Sequence, residues 1–266
     1  MSGKHRFATE EIEKFSTVDL ITELKRRYQV LSRPERSCVV LGSPYTGVST
    51  QVGFLRKEWG MCSIKREGVL PKSDSDLNEA VTKVSDEIGS FRCRRGFAIE
   101  NFPQTDQEAK VFDDMVSAKH ADKKDYRVIL LSMPHSTKEE QDASIVQLTS
   151  RATGHMIHEP SGRIYNSNVP EIAPQTPNMD DITGEPLVCQ RMDPSGISTQ
   201  FTGWLAKNEA NLRQYFGQRV KNVDASQSRD AVSMNVSRVL LDNVKPVEAS
   251  STPGESTIQH TTHDRE

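Results

Sequence analysis

"VVLGSPYTGVST", residues Val39 to Thr50, carries an apolar strand into a loop framed by Gly42 and Gly47. Cys38 to Leu41 are apolar without alternation, the pattern of a strand buried on both faces. The spacing is that of Gly-x-x-x-x-Gly-Lys-Ser/Thr, in which backbone N–H groups wrap a phosphate and the lysine pairs with it. Here Val48 stands at the lysine, and Tyr45 stands where a tight turn favours glycine. The frame of a phosphate loop is present without its charge.

Working outward, the 266 residues suffice for one substantial core with an inserted or appended module. A net charge of −3 argues against the strongly basic face of a nucleic-acid binder. Lys25-Arg26-Arg27 and Arg92-Cys93-Arg94-Arg95 read as solvated faces or last helical turns. No apolar run reaches the roughly 18 residues of a membrane span, and Met1 to Thr9 lack a signal-peptide core. A cytoplasmic protein without membrane or nucleic-acid partners is therefore expected. The cysteines at 38, 62, 93 and 189 have no C-x-x-C spacing, and three lie in apolar contexts. They read as buried thiols of a reducing compartment, without a structural zinc.

Residues 1–36 form an N-terminal helical extension. Ser16 or Thr17 caps a helix from Val18 to about Tyr28 that places Leu20, Ile21, Leu24 and Tyr28 on one face. Short apolar runs then recur at 37–41, 61–64, 96–99, 127–131 and 219–223, separated by helical spacings at 51–59, 77–88, 107–118, 138–151 and 197–216. This alternation predicts an α/β fold, a five-stranded parallel sheet with helices on both faces. Residues 155–190, rich in Gly, Pro, Asn and Asp, read as a small inserted lid. Residues 243–266 form a polar tail that cannot bury enough apolar surface to order itself unless bound.

Five segments in order resemble the adenylate kinase family: "GSPYTGVSTQ", "GFAIENFPQTDQEA", "RATGHMIHEPSGRIY", "DDITGEPLVCQRMD" and "NLRQYF". "FSTVDLITELKRR" is similar to an N-terminal extension of some eukaryotic members, so the resemblance covers roughly residues 16–242. It implies the P-loop nucleoside monophosphate kinase fold, with an AMP-site segment at about 65–95. It also implies phosphoryl transfer from ATP to AMP, which depends on positioning and on neutralising charge over the transferred oxygens.

Most of the cations that such chemistry uses are replaced. Val48 holds the loop-lysine position, and Pro71 and Gln104 hold two AMP-phosphate arginines. His155 and Phe201 hold two more arginine positions around the lid, and Arg191 alone remains of the six. Glu108 replaces the glutamine that reads adenine; Lys65 or Arg66 could supply charge from nearby. The remnants that suit a nucleotide are Gly42, Gly47, Thr50, Arg151, Arg191 and Asp193, with Thr50 and Glu100 as oxygens for a metal. Loss of one transition-state donor typically costs about 2.7–4 kcal/mol, so five losses predict a degenerate, inactive member with no catalytic residue set intact.

His155 and His158 lie near each other without a further histidine or cysteine, so no metal site is expected. The residues that hold geometry are retained, including Pro44, Gly96, Phe97, Phe102, Pro103, Gly154, Gly162 and Asp180 to Pro186. Three readings follow. The first is a structural or interaction subunit that requires no cofactor and meets other proteins of a large assembly through its N-terminal helix and tail. Family members in flagellar axonemes point to a flagellar or other cytoskeletal location. The second is an adenine-nucleotide sensor with residual ATP or Mg²⁺ binding and no turnover. The third is a weak nucleoside phosphate kinase.

Overall fold

The computed structural model describes residues 16–66, 77–189 and 193–242. Expectations for Pro71, Arg191 and the tail at 243–266 lie outside the described residues.

Five short strands, Cys38–Gly42 (β1), Cys62–Lys65 (β2), Phe97–Glu100 (β3), Arg127–Ser132 (β4) and Val220–Asp224, form a wholly parallel sheet. The last is β8 in chain order, and the spatial order is β2-β3-β1-β4-β8. Each strand falls within one residue of its predicted run. Alternation along β1 divides the core. Val39 and Leu41 pack on one face with Ile99, Phe112 and Leu130, while Cys38 and Val40 pack on the other with Ile129, Leu148 and Val236.

Helices cover both faces. Thr17–Ser32 (α1) precedes the sheet, and Val48–Trp59 (α2), Leu77–Gly89 (α3), Asp106–Lys119 (α4) and Lys138–Thr153 (α5) connect its strands. The predicted helix at 197–216 begins earlier, as Pro194–Trp204 (α6). It passes through a π-turn at Leu205–Glu209 and continues as Ala210–Phe216 (α7). A final helix, Arg229–Leu241 (α8), was not anticipated; Ser228 caps it, and only Val232, Val236 and Leu240 form its buried apolar row.

Between α5 and α6, the strands His155–His158 (β5), Arg163–Asn166 (β6) and Val188–Cys189 (β7) make a separate antiparallel sheet ordered β6-β5-β7. No described helix is long and apolar enough to cross a membrane.

The cysteine expectation needs correction. Cys38 is a buried thiol and Cys189 an exposed one, but Cys62 and Cys93 form a disulfide with Cα atoms 4.9 Å apart. The short turn Phe91–Cys93 feeds β3, whose neighbour β2 starts at Cys62; parallel pairing thus brings together two residues that show no motif in sequence.

Candidate functional site

An open parallel sheet binds ligands in the crevice beyond its carboxyl ends, and the loop after β1 lies there. Its interior is filled by its own side chains. Ser43 and Thr46 are buried, and the Thr46 hydroxyl donates to the Ser43 carbonyl at 2.8 Å. A Cβ on Gly42 would meet Thr46 Oγ1 at 2.5 Å and Val48 Cγ2 at 2.9 Å, so glycine is required. Tyr45 has φ +66°, the left-handed conformation that costs an L-residue roughly 1–2 kcal/mol.

Val48 opens α2 but does not face outward. It is 4% exposed and shares an apolar cluster with Phe201 of α6, which is 2% exposed, and with Met133 and Val223. Tyr45 packs against the same cluster, and burial raises the pKa of its phenol.

The end of β3 closes on the loop by hydrogen bonds. Asn101, at φ +51°, accepts from the Gly42 N–H at 3.1 Å and donates its own N–H to the Val40 carbonyl at 2.9 Å. The Ser49 hydroxyl donates to Glu100 Oε1. Thr50, the hydroxyl expected beside Glu100, instead borders a groove between α2 and α8 of about 540 Å³, with Phe54, Lys57 and Arg229.

Beyond β2 a second polar group is fully engaged. The Arg66 guanidinium donates two hydrogen bonds to the Glu108 carboxylate, each 2.9 Å, and lies 5.9 Å from the Phe102 ring centre. Glu108 also accepts from the Gln104 N–H at 2.7 Å, and Asn208 donates to the Gln104 carbonyl at 3.2 Å. Arg66 therefore neutralises Glu108 rather than standing free in the cleft.

No family model matches the chain. Full-length relatives do. It is similar to Adenylate kinase 4 of Arabidopsis thaliana, 24% identical over 254 residues that cover 88% of this chain and 98% of that protein. Adenylate kinase 4 of Oryza sativa subsp. japonica is 26% identical, with 88% and 99% covered, and Adenylate kinase 3 of the same plant is 28% identical, with 70% and 79% covered. The chain thus resembles the adenylate kinases over most of its length.

The other positions singled out on the adenylate kinase pattern are spread over several elements. Arg151, near the end of α5, is half-buried and donates to the Ala225 carbonyl at 2.8 Å; burial lowers its pKa, against the opposing charge of Asp224. Asp193 caps α6, accepting from the Ser195 N–H at 3.0 Å, and the Ser195 hydroxyl and N–H hold its carboxyl below the usual range. His155 is half-buried in β5 opposite Asn166, while Gly47 caps α2 at φ +94°. Pro71 and Arg191 are outside the described residues.

The small sheet has its own polar centre. Arg163 donates to both oxygens of the buried Asp180, at 2.7 and 2.6 Å, and Tyr165 and Thr183 donate to the same carboxylate. The Arg163 guanidinium holds that carboxyl well below the usual range, with Thr183 and Tyr165 adding to the effect. His158 bonds Glu185 at 2.7 Å and Ser161 at 2.6 Å. Among the described residues, no group of three or more His, Cys, Asp or Glu side chains is placed to hold a metal ion.

Sequence reasoning named Arg66 and Glu108 separately but not their pairing, and it missed Asn101 as the acceptor for Gly42. The signal was available in part: Glu108 puts a carboxylate where a glutamine is expected, and Arg66 is a cation in the neighbouring motif.

Proposed function

We propose that this adenylate kinase-like chain has kept the fold and lost phosphoryl transfer, and serves as a structural or interaction subunit of a larger protein assembly. The observation that carries this reading is the burial of Val48 and Phe201 in one apolar cluster. Two positions where positive charge would converge on the transferred group instead contribute to core packing. A triphosphate fits such a surface poorly, because its charge would be desolvated without a counter-charge. The pairing of Arg66 with Glu108 adds support, since it removes both the nearby cation and the free base-reading carboxylate from the acceptor side.

No cofactor is needed for this role. A flagellar axoneme or another part of the cytoskeleton is the proposed location, by analogy with family members found there.

Calorimetric titration of the full chain with ATP, AMP and a bisubstrate analogue, each with Mg²⁺, tests the reading. No binding heat is expected. Binding without turnover would select the sensor reading, whose remnants are Arg151, Arg191 and Thr50, and turnover would select the kinase.

A further inference from the structure

The N-terminal helix α1 is fixed to the body on one side and bare on the other. Arg26 donates to the Lys57 carbonyl at 2.8 Å, Arg33 donates to the Glu58 carbonyl, and Arg95 donates to the carbonyls of Val30 and Arg33, each at 2.8 Å. The Arg33 guanidinium also lies 5.2 Å from the Trp59 ring centre. These contacts set the helix orientation by way of Arg26, Val30 and the cap residue Arg33.

Away from this side, Ile21, Leu24, Tyr28 and Leu31 recur at alternating three- and four-residue steps, and Val18 extends the row. All are exposed, Leu24 at 68% and Tyr28 at 72%. None of the sixteen residues of the helix is buried. A contiguous apolar row held outward on an anchored helix is the form of a helix-pairing seam.

The charges along its borders indicate what covers it. In heptad terms Ile21 and Tyr28 take one core position and Leu24 and Leu31 the other. Val18, Lys25 and Ser32 then border one side, and Leu20 and Arg27 the other. Neither border carries a carboxylate. Lys25 has no ion-pair partner among the described residues, and Arg27 is satisfied only by Glu23 of its own helix at 2.8 Å. Pairing with a second copy, in either direction, would set Lys25 and Arg27 against Leu20, Ser32, Val18 or each other. The borders of a second copy offer neither cation an acidic partner.

We propose that α1 docks one amphipathic helix of a different protein, with an apolar seam bordered by glutamate or aspartate. This deepens the interaction-subunit reading and rests on it, giving the partner a chemistry. Apolar residues at Ile21, Leu24, Tyr28 and Leu31 supply the buried area, and Lys25 and Arg27 select the partner and its orientation.

The test uses the full chain and two synthetic helical peptides that share an Ile/Leu seam, one bordered by glutamate and the other by lysine. Fluorescence anisotropy is expected to show the glutamate peptide binding at least about tenfold tighter than the lysine peptide. Leu24→Asp should abolish binding while the melting temperature is kept, because Leu24 is 68% exposed and belongs to none of the core clusters of the described residues. Lys25→Glu with Arg27→Glu should reverse the preference between peptides, which keeps the test informative if Leu24→Asp disturbs folding. Equal binding of both peptides, binding of neither, or self-association of the chain lost in Leu24→Asp would overturn the proposal. Nucleotide titration reads a different site, so a failure of one reading does not disguise a failure of the other.

Discussion

Val48, at the start of α2, and Phe201, on α6, are packed into the same apolar cluster although the loop motif and the helix after the small sheet lie far apart in sequence. The cluster includes Met133 beyond β4 and Val223 of β8, so it extends along the carboxyl edge of the sheet. An edge that usually presents fixed dipoles and cations to a ligand is here a continuation of the core.

Rebuilding the motif at one residue should therefore fail. Val48→Lys would place an ammonium where valine is 4% exposed, or force its stem outward past Tyr45. We expect destabilisation of about 1–3 kcal/mol, the usual result of burying an unpaired polar group. Denaturant midpoints check the stability, and a coupled ADP-production assay should find turnover still at background. Robust catalysis from that single change would mean that the remaining site is intact.

The fold was legible in the sequence because its signals are local. Val, Ile and Leu runs mark β1 and β4, shorter mixed apolar stretches mark β2, β3 and β8, and Ser16, Thr105 and Thr137 cap the helices that follow them. The helix α8 was harder to read, since polar residues surround a thin apolar row. The candidate site was legible as a set of replaced residues but not as an arrangement. Nothing in the spacing of Cys62 and Cys93, or of Arg66 and Glu108, indicates that they meet; only the parallel order of β2, β3 and β1 brings them together. The burial of Val48 is likewise a tertiary fact, decided by Phe201 arriving from another element.

Arg66 and Glu108 are coupled in a part-buried site, with side chains 26% and 13% exposed. Arg66→Ala leaves the carboxylate with the Gln104 N–H as its remaining partner, and should cost about 1–3 kcal/mol, between the values for exposed and buried pairs. Adding Glu108→Gln should recover part of the loss. Urea denaturation of both single variants and the double variant measures the coupling. Strict additivity would mean that the pair contributes nothing beyond its parts.

Asp113 gives a pH signature. It accepts from Tyr126 at 2.6 Å, Tyr215 at 3.0 Å and Arg219 at 2.7 Å, joining α4 to α7 and to the approaches of β4 and β8. Burial pushes its carboxyl up, but Arg219, Tyr126 and Tyr215 together outweigh this and hold it below its ordinary value. A depressed carboxyl contributes stability above the unfolded value, about pH 4, and loses that contribution as pH falls through the folded value. Asp113→Asn should thus cost about 1–2 kcal/mol at neutral pH, reduced from a fully buried charged hydrogen bond because Arg219 is partly exposed. The gap from the natural protein should narrow below about pH 4. Urea midpoints at pH 7 and pH 3 decide it; a gap that widens in acid would reverse the sign of the argument.

The central claim, a fold kept without its reaction, is tested most directly by ADP production from ATP, AMP and Mg²⁺ by the purified full-length chain, beside Adenylate kinase 4 of Arabidopsis thaliana under the same conditions. The account predicts a rate indistinguishable from the no-enzyme control. Turnover within about a hundredfold of the relative, a gap of roughly 2.7 kcal/mol that one missing donor could explain, would contradict it.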